Sequence, residues 1–156
     1  IGWDAMGGGS ALYVQNGAPD RRWFGSTPEM LVDLRGEKAE RAIAGVKAAV
    51  ARYPYKSEYR TWPGPNSNTF TAYVARNVPE FGVDLPPTAI GKDYIAGGTP
   101  FALAPSTTGI QLSFFGLAGI IVAVEEGLEI NLLGLNFGID PGDLALRLPG
   151  IGKIGF

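Results

Sequence analysis

Asn66-Ser67-Asn68-Thr69-Phe70 places a hydroxyl between two amides, directly after the Pro/Gly-stiffened run Trp62-Pro63-Gly64-Pro65. A helix starting here aims free N–H groups and partial positive charge at Ser67. Such a junction can hold a nucleophile, with Asn66 or Asn68 polarising a developing oxyanion. Ser, Asn and Thr are also the best N-caps, so the same residues suit a purely structural turn. A serine hydroxyl needs a base to attack anything, and the chain has no His and no Cys. Those absences exclude imidazole bases, thiolate catalysis, Cys-based zinc sites and most transition-metal sites.

Other constellations are weaker. Glu125-Glu126 with Glu129 offers three carboxylates to a hard cation; a solvated Glu-Glu-Gly hairpin turn is the favoured explanation. Adjacent strand residues point to opposite faces, so Glu125 and Glu126 make a poor pair for glycoside chemistry. Gly150-Ile151-Gly152-Lys153-Ile154-Gly155 has the G-x-G-x-x-G form, but no helix follows it within the chain to hold a pyrophosphate. Gly91-Lys92-Asp93 lacks the earlier Gly and the hydroxyl of a phosphate-binding loop. Arg21-Arg22-Trp23-Phe24 suits a surface Arg–Trp stack, or contact with an anion or lipid headgroup. Net charge is −2 and the 13 basic residues are scattered, which gives no electrostatic footprint for nucleic acid. No nucleotide, nucleic acid, cofactor or metal is expected.

The elements that would position these residues follow from periodicity. Met30–Leu34 reads as a strand, as does Ala11–Val14. A helix is predicted over about Glu37–Arg52, with Ala39, Ile43, Val46 and Val50 forming one apolar stripe packed in the core. A second helix starts near Asn66 to Asn68 and ends before Pro79, with Phe70, Tyr73 and Val74 facing inward. From Gly109 onward, short apolar runs alternate with Gly. Leu128, Ile130 and Leu132 are interleaved with Glu129 and Asn131, and Leu135, Phe137 and Ile139 repeat the period of two. This predicts a β-meander with one face buried, with a turn at Asp140-Pro141-Gly142.

The bulk numbers agree with one domain over residues 1–156, with a possible subdivision near 100–109. Charged residues are 18% of the chain, below the ~25% of an ordinary soluble domain. With 23 Gly and 12 Pro, this composition suggests turns, hairpins and a lipid or protein contact face. The longest apolar run, Phe114–Val124, is shorter than the ~20 residues a spanning helix needs, so any spanning anchor would lie outside this chain.

Gly64-Pro65-Asn66-Ser67-Asn68-Thr69-Phe70 and the later run Val78-Pro79-Glu80-Phe81-Gly82-Val83-Asp84-Leu85-Pro86-Pro87-Thr88-Ala89-Ile90-Gly91-Lys92-Asp93 resemble the bacterial DUF3750 family. Glu125–Leu135 and Leu148–Gly152 fit the resemblance too, which runs from about Trp23 to the end. That resemblance implies the C-terminal larger part of a longer protein, anchored in a membrane and facing the bacterial envelope. Asn66-Ser67-Asn68-Thr69-Phe70 is also similar to the Asn-Cys-Asn-Thr-Phe motif of permuted papain-like thiol peptidases of the NlpC/P60 type. Ser67 falls on the nucleophile's position there, and the His base would have to precede Ile1.

The expected fold is α+β: two main helices with a mostly antiparallel sheet, arranged as a degenerate permuted papain-like core with a C-terminal β-meander. The expected function is a non-catalytic structural or interaction protein, associated with the periplasmic side of the inner membrane and partnered by membrane, membrane protein or lipid. Two alternatives remain open. One is a hydrolase or acyltransferase using Ser67, Asn66 and Asn68; the other is a lipid-binding module with an apolar ligand enclosed by the meander.

Overall fold

Gly36, at φ +56°, turns an extended chain into helix α1, Gly36–Arg52. Helix α2 spans Ser67–Asn77 and stops two residues before Pro79. Both match the predicted spans closely. The structure is a computed structural model and describes residues 10–14, 17, 22 and 25–155. Of the Arg21-Arg22-Trp23-Phe24 cluster only Arg22 is described.

The two helices pack through small residues. Ala42 and Ala49 of α1 are buried against Val74 and Val78. Gly45 lets α1 approach closely, since a Cβ there would lie 3.2 Å from Val78 Cγ2. Of the predicted stripe Ala39, Ile43, Val46 and Val50, only Val46 packs against this core. All four line an apolar groove of about 790 Å³, shared with Leu31, Leu34, Phe70, Val74, Phe81 and Leu85. Met30–Leu34 pairs with no strand among the described residues; its Leu31 and Leu34 line that groove instead. Ala11–Val14 is likewise not a strand, and the amides of Ala11 and Leu12 both donate to the Lys56 carbonyl.

Seven strands follow: β1 Phe101–Leu103, β2 Gly109–Phe114, β3 Ala118–Ala123, β4 Gly127–Leu132, β5 Leu135–Asp140, β6 Ala145–Leu148 and β7 Gly152–Gly155. They form one antiparallel sheet in sequence order, so the fold is α+β with a C-terminal meander. Turn chemistry fixes the hairpins. Asp140 Oδ1 accepts from the amides of Gly142 and Asp143 at 3.0 and 3.2 Å, the Asx turn that Asp140-Pro141-Gly142 predicts. Gly134, at φ +87°, sits in the β4–β5 turn beneath Trp62, where a Cβ would lie 3.3 Å from Nε1.

The two faces of this sheet are inverted from the usual arrangement of an antiparallel sheet, in which apolar residues face the core. The strand registers align Ala102, Gln111, Ile121, Glu129, Gly138, Arg147 and Lys153 in one row. This row faces the body of the protein, and Gln111, Glu129 and Arg147 in it are all buried. The neighbouring row of Leu103, Ile110, Val122, Leu128, Ile139, Leu146 and Ile154 faces away. Each of its members is at least one-third exposed. The alternation was legible in the sequence; its direction is set by the segment that packs on the sheet. That segment, residues 84–95, carries Asp84, Lys92 and Asp93 against it. Buried charges need polar partners, so β2, β4, β5 and β6 turn their polar residues inward, while β3, which has none, places Ile121 there.

Candidate functional site

Asn66 is the N-cap of α2 and is extended, with φ −134°. Its Oδ1 accepts from the amides of Asn68 (2.9 Å) and Thr69 (3.0 Å). Its own amide donates back to Thr69 Oγ1 at 3.1 Å, closing a capping box. Its Nδ2 donates to the carbonyls of Thr61 (2.9 Å) and Ile90 (3.1 Å). Asn68 Nδ2 donates to the same Ile90 carbonyl at 2.8 Å. The Thr69 hydroxyl donates to the Gly91 carbonyl at 2.8 Å. The signature is thus a clamp. It caps α2 and pins the loop that delivers Lys92 and Asp93.

Glycines permit this close approach. Gly91, at φ +100°, passes so near that a Cβ there would collide with the Asn66 carboxamide. Gly64, between two cis peptides at Trp62–Pro63 and Gly64–Pro65, leaves no room beside Thr69 and Tyr94. Trp62 Nε1 donates to the Leu133 carbonyl at 3.0 Å and ties the same turn to the sheet.

Ser67 behaves differently from its neighbours. It is exposed at the first position of α2, and its hydroxyl meets no hydrogen-bond partner among the described residues. No carboxylate or lysine is bonded to it there. Asn66 and Asn68, the amides expected to polarise an oxyanion, are committed to backbone groups. The sequence-predicted trio is adjacent in space but does not form a nucleophile–base pair.

Beneath the clamp lies the polar core. Lys92 and Asp93 are 0% and 1% exposed. Lys92 Nζ forms a short ion pair with Glu129 Oε1. Asp93 accepts from Gln111 Nε2 at 3.0 Å and from Asn131 Nδ2 at 2.8 Å. Its backbone carbonyl accepts from Ser113 Oγ at 2.6 Å. Arg147, also fully buried, donates to Glu129 Oε2 at 3.1 Å and pairs closely with Asp84. Gly138 lies between Arg147 and Glu129 in the row; a Cβ there would be 3.1 Å from Arg147 Cδ, so its missing side chain is the space Arg147 crosses. Lys153 closes the cluster, 2.6 Å from Asp140 Oδ2 and in short contact with Asp143.

Electrostatics follow from this packing. Burial pushes the Glu129 carboxyl up, while Lys92 and Arg147 pull it back without cancelling the rise. Burial alone would lower Arg147, yet Asp84, Glu129 and Asp140 hold it above its ordinary value. Burial likewise opposes the charge on Asp140, but hydrogen bonds from Lys153 and the Asp143 amide hold its carboxyl below the usual range. Arg76 of α2 reaches the Leu103 carbonyl at 2.9 Å and bonds Gln111 closely. Desolvation brings it down to about 10, against the pull of Asp93 and Glu126.

The acidic cluster of the β3–β4 turn is split. Glu125 is solvated as predicted, but Glu126 is fully buried and accepts from the Ser106 amide (2.9 Å) and hydroxyl (2.5 Å). Glu129 points into the polar core. No group of three metal-ligating side chains occurs among the described residues. Gly150-Ile151-Gly152 forms the β6–β7 turn, and the residues after it are strand. The ion-pairing roles of Lys92, Asp84, Asp140 and Arg147 escaped sequence reasoning. Their signal was a polar residue at every second position of an otherwise apolar strand, opposite an uncommitted Lys-Asp pair.

A family model described as DUF3750, a protein of unknown function, matches residues 1–94. The match ends one residue beyond Asp93, so its last part is the loop that the sheet encloses. No curated protein and no solved structure matches the chain.

Proposed function

The chain belongs to the DUF3750 family, and from that premise we propose that it is a non-catalytic interaction protein of the bacterial envelope. Its working surface is the outer face of the seven-stranded sheet. The observation that carries this reading is the inversion of that sheet: its polar side is sealed inside and its apolar side is presented outward. Phe101, Ile110, Phe114 and Ile130 are each more than half exposed. Contiguous apolar patches on monomers seldom exceed a few hundred Å² and mark interaction sites when they do.

The clamp supports the same reading. Asn66, Asn68 and Thr69 are engaged in holding the loop 84–95, which is a structural task. The envelope placement and the membrane-associated setting rest on the family resemblance and the low charge of the chain. No helix among the described residues is long and apolar enough to cross a membrane.

The test is recovery of the full-length protein from native membranes under mild detergent. Recovery in a complex, or with the membrane fraction, is the expected result. Recovery solely as a free soluble monomer overturns the proposal. A parallel arm addresses the hydrolase alternative, for which the exposed Ser67 hydroxyl at the start of α2 is the candidate nucleophile. Labelling by a fluorophosphonate probe that disappears in Ser67→Ala would establish that alternative.

A further inference from the structure

The outer face is uniform. The strand registers bring Ile120, Ile130 and Phe137 side by side at its centre, flanked by the row from Leu103 to Ile154. No charged side chain interrupts it: every charged residue of the strands lies on the inner side. Strands ~4.8 Å apart, with ~3.4 Å per residue, make this face on the order of 28 by 20 Å, or about 550 Å² in projection.

That size and chemistry can be set against the candidate occupants. A bilayer surface recruits proteins through apolar side chains together with Lys or Arg that meet anionic headgroups. The turns bordering this face carry Glu125 and Asp143, both exposed, while Lys153 is engaged by Asp140 and Asp143. The rim is therefore ill suited to an anionic membrane. A second identical sheet suits it well. Two sheets of the same twist pack face to face about 10 Å apart, near −30°. Their closure removes on the order of 1,100 Å² in projection and more as accessible surface, reaching the ~1,200 Å² at which stable interfaces begin. An isologous pair also sets apolar side chains against apolar ones, with no like charges opposed.

We infer that a second copy of this chain covers the outer face, giving a two-fold dimer built as a β-sandwich. This inference rests on the interaction reading above and names the partner. Light scattering and sedimentation of the purified chain at micromolar concentration test it. Twice the monomer mass is expected. Ile130→Lys, at the centre of the face and half exposed in one copy, should halve that mass while leaving the far-ultraviolet circular dichroism unchanged. Ile43→Lys, on exposed α1 away from the sheet, should leave the mass doubled.

A wild-type monomer overturns the inference, as does a dimer that survives Ile130→Lys combined with Phe137→Lys. An open ladder of larger species overturns it too, because a closed two-fold pair leaves no face free. Flotation of the monomer with vesicles of phosphatidylethanolamine and phosphatidylglycerol overturns it in favour of lipid. The two readings fail separately. A monomer still recovered with membranes or another protein removes the second copy and spares the interaction reading, whereas a monomer recovered free removes both.

Discussion

Asn66 is the hub of the clamp, because each of its polar atoms is matched: Oδ1 to two amides of α2, Nδ2 to two carbonyls, and its backbone N–H to Thr69. Removing a cap costs about 1–2 kcal/mol, and Asn66→Ala also strips a donor from Thr61 and Ile90. We expect it to lower unfolding free energy by ~2–3 kcal/mol in urea titration. Ser67→Ala touches no bonded group and should stay within ~0.5 kcal/mol of wild type. A larger loss at Ser67 than at Asn66 would contradict the clamp. Deeper in, Lys92→Met strands Glu129 with Arg147 as its remaining cation. Breaking a buried pair this way costs about 3–5 kcal/mol. The double variant Lys92→Met/Glu129→Leu should be more stable than Lys92→Met alone, and the same titration checks this. The cap was legible from residue types; the buried Lys92–Glu129 pair was not. Asn-Ser-Asn-Thr reads first as a helix cap and second as a nucleophile's seat; the bonds to Ile90 and Gly91, more than twenty residues away, add a loop-holding task that no local pattern signals.

The elements themselves were largely legible, since the 3.6 and 2.0 periods are local properties. α1, α2 and the central strands fall where those periods place them. Three short pieces show the limit. Met30–Leu34 has strand composition but meets a groove instead of a partner edge. β1 and β7, each of four residues or fewer, are strands because β2 and β6 offer them an edge. Which side of the meander turns inward also depends on a segment distant in sequence. The β5–β6–β7 corner yields a prediction at this scale. Asp140 is held below its ordinary value of 3.8. It therefore adds stability that is complete above the unfolded value and lost as pH falls through the folded one. Lys153 is raised, so its share is complete below its unfolded value and lost only in strong alkali. The thermal midpoint of the wild type should thus fall between pH ~5 and ~2 more steeply than that of Asp140→Asn. Parallel pH profiles for the two proteins would assign the acid loss elsewhere; Glu129, raised by burial, acts in the opposite direction.

For the whole molecule the central question is whether the family-matched part, residues 1–94, stands without the sheet. Its final turn ends in a fully buried lysine and a buried aspartate, and the partners of both, Glu129, Gln111 and Asn131, lie on β2 and β4. The sheet depends on the loop in return. Without Lys92 and Asp84, Glu129 and Arg147 would retain mainly each other across a face open to water. Arg76 and Trp62 add bonds from α2 and its leading turn to Leu103 and Leu133. These contacts cross the region near residues 100–109 from both sides, and a cut there breaks ion pairs as well as packing. We therefore expect a chain truncated after Tyr94 to show no cooperative thermal transition. In the full chain, amides of α2 and β4 should exchange with the same opening free energy, as one unit. A truncated chain that melts cooperatively, with α2 amides as protected as in the full chain, would divide the protein into two domains. It would also reduce the Lys92–Glu129 pair to a docking contact between them.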